Sequence, residues 1–306
     1  MKKNLFPLLA IGLLLSAPLQ SLAQEKAPMG PPKVLQIYRE EVKPGKGTAH
    51  EKLESAYARA FAKAKWPTEY LAMTAVTGPG EVVFLSGYDS FAALEKDRLA
   101  IEKTAALTSE FEKLDPQESE FLSGGRSTLA VYREDLSYRP NVNVAQAHYM
   151  SVLTFRLRPG HEPDLEEAAK IVRGAYEKLN VDFHWAIFQV TSGAPGGTYL
   201  VFAPLKSLAE IDAARARSKA LLEAEGEENV KKLLKIASDG YQSTEGRLYA
   251  FSPKMSYVSK EFASADPDFW TPKPKAAAKP AGEAKKERAK PAPAAKKQAS
   301  KPASKQ

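Results

Sequence analysis

The chain has 306 residues, a formal net charge of +7 and no cysteine. The missing thiol excludes disulfides, a thiolate nucleophile and cysteine-ligated metals. Stability must therefore come from a hydrophobic core, and a chain of this length can build one without covalent staples.

The first 23 residues have the pattern of a secretory signal peptide. Lys2 and Lys3 precede the apolar run 5–15, and Ser21-Leu22-Ala23 forms a small-residue exit. The apolar run is too short to cross a bilayer, which needs about 20 apolar residues. Cleavage near Ala23 would place the mature chain in the periplasm or outside the cell, with no transmembrane span. The alternative is an uncleaved N-terminal anchor.

The body of the chain is one sequence pattern that occurs twice. The Pro-Gly segment 42–46 recurs at 157–161, and 66–78 lies over 181–193, both at an offset of 115 residues. Near the end of the unit, 136–138 matches 255–257 at an offset of 119. Small loop insertions produce such a drift, so the pattern predicts an internal duplication.

Each copy predicts the element order β-α-β-β-α-β, the ferredoxin-like arrangement. The first repeat, 33–138, has strands over 34–42, 69–77, 81–88 and 128–132, with helices over 50–65 and 90–122. A linker, 139–147, joins it to the second repeat, 148–258, with strands over 149–157, 183–191, 198–203 and 247–251. The second helical region of each copy, 90–122 and 207–238, is expected to be broken once.

This element order, the strand-Pro-Gly-helix opening and the unit length resemble the dimeric α/β-barrel superfamily. That group includes antibiotic-biosynthesis-type monooxygenases, NIPSNAP-like proteins, haem-degrading monooxygenases and the chlorite dismutase group, and the resemblance covers about 33–257. It implies an α+β fold in which two tandem ferredoxin-like units pair their sheets into an intrachain α/β barrel. No catalytic signature of the group maps onto this chain residue by residue.

Strand alternation predicts which side chains face the barrel interior. In the second strand of each copy one face is wholly apolar (71, 73, 75 and 186, 188, 190), and this face is expected to pack under the helices. The mixed face would then line the interior, where aromatic and polar groups together are typical of a ligand cavity. The candidate pocket residues are Gln36, Tyr38, Tyr70, Thr74, Ser151, His184, Trp185 and Gln189. The alternative is that these side chains simply fill the barrel.

The four histidines predict no metal site. No histidine pair has ligand spacing such as i, i+4 on a helix, and His50 and His161, at the start of equivalent helices, are expected to be exposed. His184 lies beside Trp185, and the resemblance makes it a candidate haem ligand or proton-transfer group. The catalytic residues and the cofactor are otherwise left open by the sequence.

The last 35 residues, 272–306, differ in kind from the body. They hold eleven of the 44 Lys and Arg residues, two of the 37 acidic residues and no aromatic residue. Such a segment cannot bury enough apolar surface to fold, so it is expected to be disordered. Because the basic balance belongs to this tail, it does not indicate sequence-specific nucleic-acid binding. The polycation could bind anionic lipids or cell-surface polymers, or it could serve only as a solubilising appendage.

The leading hypothesis is an exported, small-ligand-binding α/β barrel with a surface-tethering tail. The first alternative is a monooxygenase-type or haem-dependent enzyme, as the resemblance implies. The second is a structural or interaction module with a filled barrel.

Overall fold

The structure is a computed structural model that describes residues 30–271. The predicted signal peptide, 1–23, and the predicted tail, 272–306, lie outside the described residues.

Eight antiparallel strands form a closed barrel. They run over Val34–Val42 (β1), Tyr70–Ala75 (β2), Glu81–Tyr88 (β3), Leu122–Tyr138 (β4), Tyr149–Leu157 (β5), Trp185–Ser192 (β6), Thr198–Leu205 (β7) and Tyr241–Phe251 (β8). Their order around the barrel is β1-β3-β2-β8-β5-β7-β6-β4. Each half has the ferredoxin-like order, β4-β1-β3-β2 and β8-β5-β7-β6, and the halves join where β2 pairs β8 and β6 pairs β4. The predicted fold, two tandem ferredoxin-like units in one α/β barrel, is confirmed.

The helices cover the outside of the barrel in the order that the duplication predicts. They run over Gly47–Ala64 (α1), Phe91–Lys103 (α2), Ala105–Phe121 (α3), Glu162–Lys178 (α4), Ala209–Glu225 (α5) and Glu227–Gly240 (α6). Both long helical regions are broken once, as expected. The first break falls at Thr104, which has an extended backbone, and the second at Gly226, whose φ of +82° favours glycine.

The last strand of the first half is longer than predicted. β4 has 17 residues and begins at Leu122, because Gly124 and Gly125 continue the ladder with β1 opposite Glu41 and Glu40. The turn between β6 and β7 needs a glycine at Gly193, where φ is +85° and a Cβ atom would collide with the backbone of β4.

The main hydrophobic core fills the barrel and draws on all eight strands. Its most buried members include Ile37, Met73, Val83, Ala130 and Tyr249, each with no exposed surface. A second core lies outside the sheet, where α4 covers β6 and β7.

Two short helices, Lys260–Ala263 (α7) and Pro267–Trp270 (α8), follow the second repeat and were not predicted. Trp270 is buried beside Phe251 and Phe262, and its Nε1 donates to the Ala145 carbonyl at 2.7 Å. The segment thus covers one end of the barrel. Within residues 30–271 no helix is both long and apolar enough to span a membrane.

Candidate functional site

A cavity of about 1180 Å³ opens at one end of the barrel. This is the end at which β1, β2, β5 and β6 begin and β3 and β7 finish. Its floor consists of apolar side chains from both halves of the barrel. These are Leu35, Leu71, Leu85, Met150, Ala186, Phe188 and Phe202.

Two chain segments outside the sheet form part of the wall. The linker contributes Pro140, Val142 and Val144, and the segment after β8 contributes Val258 and Phe262. The hydrogen bond from Trp270 Nε1 to the Ala145 carbonyl joins these two segments. The cavity is therefore built where the inter-repeat linker meets the C-terminal helices, a junction that no single repeat contains.

Asp97 on α2 organises the polar part of the rim. Its Oδ1 accepts from Trp66 Nε1 at 3.0 Å and from Thr68 Oγ1 at 2.6 Å, and its Oδ2 accepts from the Tyr88 hydroxyl at 3.1 Å. Burial, and after it the charge of Asp97, raises the pKa of Tyr88, so this phenol stays protonated at neutral pH. One carboxylate thus ties α2 to the loop before β2 and to the end of β3.

His184 also lines the cavity, but both of its ring nitrogens have protein partners. Nδ1 lies 2.8 Å from the Arg139 carbonyl oxygen and Nε2 lies 3.0 Å from Asp182 Oδ1. A haem iron needs an axial ligand with a free donor atom. His184 is the only histidine among the described residues that line this cavity. The arrangement does not fit haem ligation through His184.

The predicted assignment of sheet faces was wrong. Ala186, Phe188 and Val190 face the barrel interior, whereas Trp185 and Ile187 pack against Leu165, Val172 and Tyr176 of α4. In the first half, Leu71, Met73 and Ala75 point inward, while the Tyr70 ring lies 5.6 Å from that of Phe61 on α1. The interior is the drier side because the closed sheet surrounds it, so it takes the wholly apolar face. The outer side tolerates mixed residues because the helices cover it only in part, and Tyr38 on this side is 39% exposed.

The structure brings only three of the eight predicted pocket residues to the cavity. Tyr70, His184 and Trp185 line it. The other five are not among its lining residues and lie on outward-facing strand positions: Gln36, Tyr38, Thr74, Ser151 and Gln189. Tyr38 is 39% exposed, and Gln189 accepts from Arg133 at 3.3 Å on the outer surface. Asp97, Phe202 and Phe262 were missed, since their contribution depends on contacts between distant segments.

The opposite end of the barrel holds a buried polar network. The Glu81 carboxylate accepts hydrogen bonds from the Tyr249 hydroxyl and from Arg39 Nη1 at 3.3 Å, and it pairs with Arg247 at 2.6 Å. Burial alone would raise the pKa of Glu81, but the bonds from Tyr249 and Arg247 and the charge of Arg39 lower it below the usual range. The network joins the two halves, because β1 and β3 supply two members and β8 the other two.

Comparisons with known proteins found similar solved structures at low sequence identity. No protein-family model and no curated protein matches the sequence. An anthrone oxidase-like protein superposes with a TM-score of 0.49 at 13% identity, covering 74% of this chain and 95% of its own. A candidate monooxygenase from Fusobacterium nucleatum gives 0.46 at 13% identity, with 71% and 91% coverage. A variant of chlorite dismutase from Candidatus Nitrospira defluvii gives 0.44 at 9% identity, with 73% and 92% coverage.

All three superpositions have TM-scores below 0.5. The fold is established by the strand order of this chain.

Proposed function

We propose that the protein binds a small, largely apolar ligand in the cavity at the end of the barrel. The observation that carries the proposal is the combination of about 1180 Å³ of space with an apolar floor below a rim of polar and charged groups. Small-molecule sites in proteins are typically concave and about 300–1,000 Å³ in volume, with an apolar lining and a few fixed polar groups. The hydrophobic core fills the rest of the barrel, so the filled-barrel alternative drawn from the sequence leaves only this end for a ligand.

The lining also suggests the chemistry of the ligand. Phe188 and Phe202 of the floor lie with ring centroids 5.7 Å apart in a T-shaped pair, a surface suited to an aromatic ring or an acyl chain. The rim carries charges of both signs, including Lys96 and Glu261, so it does not favour a strongly charged ligand. We therefore propose a neutral ligand with an apolar body and one polar group near Tyr88.

The enzyme alternative has less support from the rim. Asp97 accepts three hydrogen bonds from rim residues and both ring nitrogens of His184 have protein partners, so both side chains are engaged in holding the rim together. A general base must first lie within hydrogen-bond reach of the proton that it removes from the substrate. If the purified chain converted an added quinol or anthrone in a dioxygen-dependent reaction, this result would support the enzyme alternative over simple ligand binding.

A substitution that fills the cavity tests the binding proposal. Ala186 points into the floor, so the Ala186→Phe variant should occupy ligand space without disturbing the helix-covered face. With the neutral fluorescent probe N-phenyl-1-naphthylamine, we expect saturable binding by the wild type. A loss of even about 2 kcal/mol of apolar contact would reduce the affinity about thirtyfold in Ala186→Phe.

The matched control is Ala216→Phe, which adds the same ring at an exposed position of α5. It should bind the probe like the wild type. If the wild type shows no saturable binding, or if Ala186→Phe binds as well as the control, the cavity is not a ligand site. Native mass spectrometry of the purified chain first establishes that no molecule from the expression host already occupies the cavity.

We also propose that the chain is exported and that residues 272–306 hold it at an anionic surface. The support is the signal-peptide pattern of 1–23 and the eleven Lys and Arg residues of the tail. Deleting 272–306 should shift the protein from the membrane or envelope fraction to the soluble exported fraction, measured by immunoblotting. An unchanged distribution would leave the tail as a solubilising appendage.

A further inference from the structure

A second candidate site lies between β1 and α1, on the outer side of the barrel. Glu40 is on the helix-facing side of β1, and His50 and Glu54 are one turn apart on the inner face of α1. We call these three residues the α1 cluster. His50 Nε2 lies 2.7 Å from Glu40 Oε2 and 3.8 Å from Glu54 Oε1. The prediction that His50 is exposed was wrong: it is 1% exposed, because its neighbours on the inner face of α1 pack against the sheet.

One carboxylate oxygen of the cluster has no partner. Glu54 Oε1 is buried and accepts no hydrogen bond, and the Glu54 side chain is only 7% exposed. Buried polar atoms in native structures are nearly always satisfied, so an unpaired carboxylate oxygen needs an explanation. This oxygen points towards the imidazole nitrogen, into the space that the three residues share. The remaining partner is therefore expected in that space.

The cluster brings together more carboxyl groups than its one imidazole could balance if all of them were ionised. Glu118 of α3 is close enough for its charge to act on Glu54. Burial, and after it the charges of Glu40 and Glu118, raises the pKa of Glu54 to about 9. Burial also raises the pKa of Glu118. A cation at the centre would relieve this repulsion and would compensate the burial of the carboxylates.

The second half of the barrel shows that the fold does not require these residues. At an offset of 115 residues, Phe155, Leu165 and Ala169 occupy the positions of Glu40, His50 and Glu54. Leu165 is buried, and Ala169 packs against the same core. Replacing buried charges with apolar residues is often neutral or stabilising. The polar set in the first half is therefore best explained by a ligand that the second half does not bind.

We propose that the α1 cluster binds one first-row transition dication, with His50 Nε2 and one oxygen each from Glu40 and Glu54 as ligands. Bond lengths of about 2.0–2.2 Å place neighbouring ligand atoms about 3–3.5 Å apart. In the cluster, all three candidate ligand atoms lie within 4.8 Å of one another. One imidazole with two carboxylates suits Zn²⁺, Mn²⁺ or Fe²⁺, whereas Mg²⁺ prefers oxygen ligands and retained water.

The sequence missed this site for two reasons. The first is that the i, i+4 pair here joins His50 to Glu54, whereas two histidines at that spacing are the usual sequence signal of a metal site. The third ligand comes from a strand, and only the packing of α1 on β1 brings Glu40 beside the helix. The proposal places a metal site in one repeat only, where the sequence predicted none.

The test is metal retention by the full chain, produced without a metal-affinity tag. The protein is stripped with a chelator in denaturant, refolded with or without Zn²⁺ and dialysed, because a buried site has to fill as the chain folds. Inductively coupled plasma mass spectrometry should find about one Zn²⁺ per wild-type chain. The double variant His50→Leu/Glu54→Ala, which carries the residues of the second half, should retain less than about a tenth of that amount.

The control is His161→Leu at the equivalent helix start of the second half, where His161 bonds Asp164 at 2.6 Å on the surface. This variant should retain zinc like the wild type. Zn²⁺ at about 100-fold excess over its Kd should also raise the wild-type Tm by about 5 °C and leave the double variant unchanged. X-ray absorption of the zinc-loaded wild type gives a readout that needs no variant. It should show imidazole nitrogen and carboxylate oxygen at zinc.

Three results would overturn the proposal. The first is a wild type that retains less than a tenth of an equivalent of Zn²⁺ and of Mn²⁺. The second is equal retention by the double variant. The third is an absorption spectrum without imidazole. The cluster would then be a hydrogen-bonded Glu40–His50 pair beside a protonated Glu54.

Discussion

At the residue scale, Glu81 is the central charge of the buried polar network at the end of the barrel opposite the cavity. Its side chain is 4% exposed. The carboxylate forms ion pairs with Arg39 and Arg247 and accepts a hydrogen bond from the Tyr249 hydroxyl. Charge-assisted hydrogen bonds of this kind are stronger than neutral ones. Removing one partner of a buried ionic group costs about 3–5 kcal/mol because the remaining charges stay buried without compensation.

The Glu81→Gln variant should therefore lose about 3 kcal/mol of unfolding free energy at pH 7. The loss should depend on pH in a defined direction. The pKa of Glu81 is lowered in the folded state from a usual value of 4.5. Its ionised form therefore stabilises the fold above about pH 4.5, and this stability disappears as the pH falls through the lowered pKa. Urea titrations should show the difference between wild type and variant narrowing below pH 4.

Glu245→Gln is the matched control, since Glu245 pairs with the same Arg247 at 2.7 Å but is more than half exposed. An exposed ion pair contributes about 0–1 kcal/mol, so this variant should unfold almost like the wild type at every pH. A Glu81→Gln difference that stays constant from pH 7 to pH 3 would contradict the assignment of the pH dependence to Glu81.

At the scale of elements, the order of strands and helices was readable because its signals are local. The first strands, 34–42 and 149–157, coincide with β1 and β5, since a β-rich run ends at a Pro-Gly pair in both copies. The breaks in the helical regions were readable for the same reason. The register of the duplication then placed each element of the second half by comparison with the first.

Which side of a strand faces the interior was not readable by the same means. Alternation along a strand separates two faces of the sheet. Here both faces are covered, because the inner face packs against the opposite strands of the barrel and the outer face packs against helices. The face with Phe188 and the face with Trp185 are both rich in apolar residues, so polarity alone does not identify the interior. Only closure of the sheet decides the question, and closure depends on the long-range pairing of β2 with β8 and of β4 with β6.

The polar sites depend on contacts that the sequence separates widely. Asp97 meets Trp66 across 31 positions, and Glu81 meets Tyr249 across 168. The helices α7 and α8 lie beyond the duplicated unit, so the comparison of copies gave no register for them. Their signal was the clustering of Phe262, Phe269 and Trp270 in a segment followed by the polar tail.

At the scale of the whole molecule, the two halves share a fold but have diverged in their polar chemistry. The α1 cluster occurs only in the first half, and Glu81 is matched in the second half by Thr198 at an offset of 117 residues. The second half supplies Arg247 and Tyr249 to Glu81 instead. The two halves are therefore complementary in charge, because one supplies the buried carboxylate and the other supplies groups that bind it. Neither half could replace the other in this network.

This complementarity predicts how separated halves behave. Fragments 30–141 and 142–271 would each expose an apolar sheet face and the edge strands that pair at the two seams, β2 and β4 or β6 and β8. Such surfaces drive association, so each fragment alone should self-associate in sedimentation experiments.

Mixed fragments should form a 1:1 complex in preference, because only that pairing places Glu81 against Arg247. Glu81→Gln in the first fragment should weaken the complex by about 3 kcal/mol, roughly a hundredfold in Kd, whereas Glu245→Gln in the second should not. Self-pairing as strong as mixed pairing would show that the seams and not the buried charges determine the assembly of the barrel. A folded, monomeric fragment would contradict the expectation that the exposed seams drive association.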